Sequence, residues 1–512
     1  MGRKDSTVVC VFFLTCLFGL CLSARILVIM TIPLYSHQAY FYPLWRNLSQ
    51  RGHELSIYGT HLMNDPNLKN ITEYYIDYTE KDVDITDMLK KLETSLWGII
   101  DFVYTVTYKI DADLLTMKPI KTLIESKDEA FDLVIVESMS ASMYLFAEKF
   151  KAPLIAVSSL DVVMFADEVA GNVDSRAAIY YYNENTTLAE RIKFNVIVFV
   201  QKYLFFPLYL QSANIAIKNH VEDSYPSVLE MINNIDLVFK NGNKGHYPIT
   251  PLTPNVINVD RLNLYGDHPE LSKELKRVLD DSKNGFIYVS LGTVVQSEDV
   301  ISDSGKVFID TFKELPYTVL WKVANTNVDN LSENVYAFKW FPQFNILKHA
   351  NIKAFVTQGG THSIHEAIHH QVPMICTPVY MDQFDNADKI ISHGIGQRVD
   401  INNLEKEEFK SKILDVAQNP KYRENLKTLN KIIEDEPENG LDRAVFWTEY
   451  VIKNKGAQHL KSPLNNIPSY QYYLLDVIAV FIIVLVVVAV MIVYSVKLII
   501  CLLKMRIKIK QQ

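Results

Sequence analysis

Apolar and polar positions along this chain fall into two alternating series, with a long apolar stretch near each end. The first series starts at Arg25 with RILVIM, crosses a polar loop at Ser36 and His37, follows an amphipathic helical pattern to about Gln50 and enters ELSIY. Short apolar runs separated by helical spacing predict a β-α-β start, the opening of a doubly wound α/β sheet. This half continues through FDLVIV, from Phe131 to Val136, to about Gly266. It holds one long apolar helical region, KFNVIVFVQKYLFFPLYL, from Lys193 to Leu210. Pro207 argues against a single spanning helix there. Two readings remain, a buried core helix or a surface that dips into a membrane and admits apolar molecules. The second series opens near Asn284 with GFIYVSLGT and continues in YTVLWKV, KAFVT and MICTP. Residues 267–283, rich in Lys, Asp and Glu, are the expected linker. The pattern predicts two Rossmann-like domains, 25–266 and 284–455, facing each other across a cleft.

The ends carry address information. Arg3 and Lys4 precede an uncharged run from Thr7 to Leu22 with Ser23 and Ala24 behind it, the layout of a signal peptide over 1–24. Residues 456–476 form an approach to an uncharged run from Val477 to Val496, which at about 1.5 Å per residue extends about 30 Å and suits one bilayer crossing. The basic tail, 497–512, follows with Lys497, Lys504 and Arg506. Positive charge on that side predicts a single-pass type I protein with a cytosolic tail and a lumenal body. Lys508 and Lys510 resemble a dilysine retrieval signal, which points to the endoplasmic reticulum membrane.

Charge and cysteines narrow the classes. A formal net charge of -8 argues against nucleic acid as a partner. Of the five cysteines, only Cys376 falls in the body, so no disulfide forms within it. Asn47, Asn70, Asn185 and Asn330 head sequons that a lumenal body exposes to glycosylation, although Asn47 falls in a predicted helix.

The densest chemistry lies in FVTQGGTHSIHEAIHHQVPMICTPVYMDQ, from Phe355 to Gln383. An apolar run ends in a Gly pair, a helical segment follows, and a second run closes on acid and amide side chains. The order of Gly359, Gly360, Ser363, Glu366, Pro373, Pro378, Asp382 and Gln383 resembles the signature of the membrane-bound UDP-glycosyltransferases, glucosyl and glucuronosyl transferases of insect type included. SHQ at Ser36 to Gln38, SLGT at Ser290 to Thr293 and the approach GAQHLKSPLNNIPSYQYYLLDV extend the resemblance over nearly the whole mature chain. It implies the two-domain GT-B fold and inverting, metal-independent transfer of a hexose from a UDP-sugar to a hydroxyl of a small lipophilic acceptor, in detoxification or clearance. No cofactor is implied, since the UDP-sugar is a co-substrate. Homo- or hetero-oligomers are compatible with it.

The resemblance also assigns roles. Trp340 would offer its face to uracil and Gln343 its amide to the ribose, with Glu366 accepting from the ribose hydroxyls. The diphosphate would rest on Ser290, Gly292 and Thr293, and on the turn of Gln358, Gly359 and Gly360, where N–H groups open a helix. Asp382 and Gln383 would bind hexose hydroxyls. His37 matches the catalytic base and Glu137, just after FDLVIV, would orient and stabilise its imidazolium.

Several positions depart from the family pattern. Glu137 replaces Asp, Gln358 replaces a phosphate-contacting His, His362 replaces Asn, and Thr250 stands where Arg is usual. Arg261 is the candidate to restore the missing charge at the phosphate. Without Arg at 250, the expected donor is a neutral hexose, UDP-glucose first. Two rival readings follow. One is a binding protein that keeps the fold and has lost efficient transfer. The other is a zinc protease, since His365, Glu366 and His369 spell HEAIH, but Val372 and Ile375 stand where an extended zinc motif needs Gly and His. The acidic triplets at Asp82 to Asp84 and Asp111 to Asp113 are read as solvated surface.

Overall fold

The computed structural model describes residues 23–78, 108–161, 186–222, 224–242, 245–246, 252–292, 298–323, 331–380 and 382–510. Residues 1–22 of the expected signal segment, Asp82 to Asp84, Asn185, Thr250, Thr293 and Asn330 lie outside them.

Residues up to Leu460 form one unit built on two parallel sheets. The first sheet contains β1 (Arg25–Met30), β2 (Glu54–Gly59), β3 (Ile71–Tyr75), β4 (Leu133–Glu137), β5 (Leu154–Ser158), β6 (Leu237–Lys240) and β7 (Val256–Asn258), in the order 3-2-1-4-5-6-7. The second contains β8 (Phe286–Ser290), β9 (Thr318–Lys322), β10 (Val335–Phe338), β11 (Ile352–Thr357), β12 (Met374–Cys376) and β13 (Gly396–Arg398), in the order 10-9-8-11-12-13. In each sheet the order reverses beside its first strand in sequence, between β1 and β4 and between β8 and β11. The α/β class with two facing Rossmann-like halves is as the sequence predicts.

The central strands are largely apolar because both faces are covered, whereas the edge strand β3, ITEYY, stays mostly exposed. In β1, Leu27 and Ile29 point into one layer, while Ile26, Val28 and Met30 point into the other. β8 repeats the pattern, with Phe286 and Tyr288 on one side and Ile287 and Val289 on the other. Each such side chain stabilises the fold by about 1.5–3 kcal/mol on burial.

Helix α1 (Tyr35–Ala39) and helix α2 (Tyr42–Gln50) follow β1, and α2 drives Leu44, Trp45 and Leu48 into the layer under it. Asn47 lies inside α2, half-buried, whereas Asn70 is exposed in the turn before β3. The long apolar helical region is not a core helix. Leu188, Ile192, Val196, Phe199, Tyr203, Leu204 and Leu208 are exposed, and burial resumes only at Tyr209 and Leu210.

Two boundaries differ from the expectation. The charged stretch 267–283 contains a helix, Lys273–Asp281, capped by Ser272 and docked through fully buried Leu279 onto the second sheet. Leu275, Val278 and Leu279 form its apolar stripe, set among six charged residues that read as a solvated segment. Helix α3 (Thr361–His369) and helix α4 (Asp382–Ser392) flank the signature turns, and helix α5 (Gly440–Asn454) closes the unit. α5 was expected in the second half, yet Ala444, Val445 and Val451 pack in the layer of Ile26, Val28 and Trp45. Its Arg443 donates to the carbonyl of Asn258 at 3.0 Å.

The second unit, Lys461–Gln512, contains helix α6 (Leu475–Lys510). Its stretch Leu475–Arg506 is long and apolar enough to cross a membrane, and the helix runs past both ends of the expected 477–496.

Candidate active site

Open parallel sheets bind ligands beyond the carboxyl ends of their strands, where strand order reverses. His37 sits in α1, just past the end of β1, and Glu137 is the last residue of β4. The reversal therefore brings two residues a hundred positions apart into contact. His37 Nδ1–H donates to Glu137 Oε1 at 2.8 Å, and both side chains are buried. Glu137 Oε2 accepts from the Ile32 N–H at 3.2 Å. A carboxylate on Nδ1 leaves Nε2 as the acceptor of the imidazole, and His37 lines the large cleft cavity of about 650 Å³.

The second sheet reaches the same cavity from its own reversal point. Ser290, Gly292, Gln358, Gly360, His362, Ser363, Glu366, Asp382, Gln383, Trp340 and Gln343 all line it. Gly292 has φ +83°, and a Cβ there would stand 2.0 Å from Gln358 Nε2, so the turn after β8 requires glycine. Gly359 has φ +90° and lies behind the wall, its position for a Cβ 2.5 Å from Cys376 Sγ. The N-terminus of α3 opens between these turns, and first-turn N–H groups of a helix have no partner within it.

Glu366 is held from two sides. Gln343 Nε2 donates to its Oε2 at 2.9 Å, and Asn263 Nδ2 to its Oε1 at 3.5 Å. Burial, offset in part by these amides, pushes the carboxyl up to about 7. Gln343 Nε2 also reaches Ser363 Oγ at 3.1 Å. Asp382 Oδ2 accepts from Thr361 Oγ1 at 3.2 Å and Asn386 Nδ2 at 2.9 Å, and burial raises its carboxyl as well. Gln383 uses its carbonyl oxygen on the N–H groups of Val379 and Tyr380, which leaves its amide N–H₂ for the cavity.

Some expected residues face elsewhere. Arg261 is absent from the cavity wall. Its Nε donates to Asp260 Oδ2 at 2.9 Å and its terminal nitrogen to the Ile433 carbonyl, because the neighbouring carboxylate captures the guanidinium in the buried turn. His362 borders the cavity but is engaged across the cleft, stacked on Tyr40 at 4.8 Å with its Nε2–H on the Ser159 carbonyl. Burial lowers it to about 4, so it is neutral at physiological pH. The HEAIH residues diverge, with Glu366 on the cavity and His369 on Glu434 at 3.1 Å. Asp111, read as solvated, is 3% exposed, and desolvation pushes it up to about 7. Its helical neighbours Ile110 and Leu114 carry it into the core.

Three residues of the site escaped the sequence reading. Lys322 ends β9 with Nζ 4.4 Å from the Trp340 ring centroid and donating to the Gly292 carbonyl at 2.9 Å. Burial lowers its ammonium to about 8, still largely charged at neutral pH. Tyr35 and Trp340 stand at right angles with ring centroids 5.9 Å apart, and Trp340 is 57% exposed. Asn263 is the third. The Lys in YTVLWKV was visible, but a strand-end cation has no signal until its neighbours are placed.

Two parallel Rossmann-like sheets sharing a cleft, with a His–carboxylate pair from one and an N–H-rich, acid-lined wall from the other, define a GT-B glycosyltransferase. Solved structures agree on the fold. Glycosyltransferase VinC in complex with dTDP aligns with a TM-score of 0.59 at 15% identity, over 84% of this chain and 100% of that one. UDP-glucose: anthocyanidin 3-O-glucosyltransferase in complex with UDP aligns at 0.55 and 17%, over 84% and 99%. The family model for UDP-glucoronosyl and UDP-glucosyl transferase matches residues 25–511, and the chain belongs to that family. UDP-glycosyltransferase UGT5 of Dactylopius coccus is 30% identical over 95% of this chain and 94% of its own. Human UDP-glucuronosyltransferase 2B7 is 28% identical over 87% of each. The protein is thus a UDP-glycosyltransferase, an enzyme that moves a hexose from UDP to an acceptor.

Proposed function

We propose that this enzyme transfers glucose, with inversion, from UDP-glucose to a hydroxyl of a small lipophilic acceptor, and that His37 is the base. The contact of His37 with Glu137 at 2.8 Å carries the reading. Nε2 takes the acceptor's proton as its oxygen attacks the anomeric carbon and the bond to UDP breaks. Glu137 holds the ring and stabilises the imidazolium. The diphosphate leaves toward the N-terminus of α3, and Asp382 and Gln383 hold the hexose. Uracil takes the open face of Trp340, and Lys322 on the opposite side supplies positive charge that Arg261 does not. No step in this assignment calls on a metal.

A neutral sugar is favoured by Thr250, which stands where the family usually has Arg. Relatives named UDP-glucosyltransferase 2 of Dactylopius coccus and ecdysteroid UDP-glucosyltransferase of Mamestra brassicae nuclear polyhedrosis virus point the same way. The first-half wall, with Ile32, Leu34, Leu62, Met63, Ile110 and Leu160, suits an apolar acceptor, and clearance of such compounds is the proposed role. Lysines 508 and 510, the signal segment and α6 support a single-pass protein of the endoplasmic reticulum with its body lumenal, glycosylated first at exposed Asn70.

Acceptor-dependent UDP release from membranes, tested with UDP-glucose and UDP-glucuronate, decides the matter. Release with UDP-glucose that His37→Ala lowers by about 10²–10⁴-fold supports the assignment. Equal rates with both donors at matched concentration would overturn the sugar, and normal transfer by the variant would overturn the base.

A further inference from the structure

Asn263 belongs to the first half, on the turn Leu262–Tyr265, yet its side chain reaches the second. Its Nδ2 donates to Glu366 Oε1 at 3.5 Å and to the His362 carbonyl at 3.4 Å, both at the long end for N–H···O bonds. The other end of the amide differs. Oδ1 is buried and has no hydrogen-bond partner, although Asn263 lines the cavity. Buried polar atoms are rarely left so, and an exception at a cavity wall points to a ligand atom that completes it.

The chemistry of that corner says what the atom is. Glu366 Oε2 holds Gln343, its Oε1 holds Asn263, and each oxygen keeps a further lone pair. An incoming group therefore meets acceptors, Oδ1 among them, and must bring hydroxyl donors on neighbouring positions. A ribose diol brings two, whereas a diphosphate brings acceptors alone.

We propose that Asn263 is a nucleotide-recognition residue supplied by the first half. Its Oδ1 accepts a hydrogen bond from one ribose hydroxyl while Glu366 accepts from the other. This rests on the reading of the Glu366 corner as the ribose site. Both halves then read the diol, and the enzyme selects ribonucleotides over deoxyribonucleotides through a contact that exists only across the cleft.

The test is binding of UDP, 2′-deoxy-UDP and 3′-deoxy-UDP to the purified full chain in detergent by calorimetry, in wild type and Asn263→Ala. Asn263→Leu, close to asparagine in shape, is a second variant should the first fold poorly. The wild type is expected to bind UDP about tenfold tighter than one of the deoxynucleotides, the scale of one hydrogen bond. In either variant UDP binding falls by a similar factor and that gap closes to within about twofold. If neither deoxynucleotide's gap closes in the variants, or the wild type shows none, the proposal is overturned; the gap set by Glu366 is expected to persist. A chain that binds UDP with the expected gap but transfers no glucose leaves Asn263 in place and removes the glucose reading. A chain that binds no UDP removes both.

Discussion

At Glu366 burial and recognition oppose each other. The carboxyl is pushed from its ordinary 4.5 up to about 7, so the folded protein keeps a proton that the unfolded chain gives up between those values. Its contribution to stability is present below pH 4.5 and is lost as pH rises through about 7. Thermal melting of Glu366→Gln should therefore lose part of the wild type's decline over that interval. The ionised carboxylate is the stronger acceptor for ribose hydroxyls, so UDP affinity should weaken as pH falls below about 7 and level off above it. An affinity flat from pH 5.5 to 8 would show that Glu366 is not the acceptor. Residues of this kind were legible in unequal degree. His37, Glu137 and Glu366 stand at strand ends or inside a spaced motif, where one-dimensional order fixes position. Lys322 and Asn263 acquire meaning only through Trp340, Gly292 and Glu366, which lie far from them in sequence.

Among the elements, the turn after β8 and the turn after β11 lock together. Gly292→Ala would force a Cβ at φ +83° against Gln358, 2.0 Å away. Strain of about 1–3 kcal/mol is expected, read as a lowered melting temperature, together with weaker UDP binding because the same turn borders Ser290 and Lys322. A variant with unchanged melting and binding would show that the turn yields freely. Strands and glycine turns were readable from apolar runs and punctuation. The helix Lys273–Asp281 and the placement of α5 were not, because the first offers a single fully buried residue and the second chooses its partner by shape. Gly440 shows the choice, since a Cβ there would stand 2.1 Å from the Asp260 carbonyl oxygen.

For the whole molecule, α5 makes the first half discontinuous in sequence. A chain ending at 439 would leave the layer of Ile26, Val28 and Trp45 open, while one ending at 460 keeps it covered. Limited proteolysis should digest the shorter chain's first half and spare that of the longer one, and equal resistance would mean that α5 is dispensable. The two-half plan was legible because both series of strands announce themselves; the return of the chain was not, because nothing local marks it. That return also sets a schedule. Strands β1 to β7 leave the ribosome well before Gly440 does, an interval of about ten to forty seconds at about 5–20 residues per second. During it the layer beneath β1 lacks its last wall. The first half is born early and finished late, with Ile26, Val28 and Trp45 waiting for Ala444, Val445 and Val451 to complete their cover.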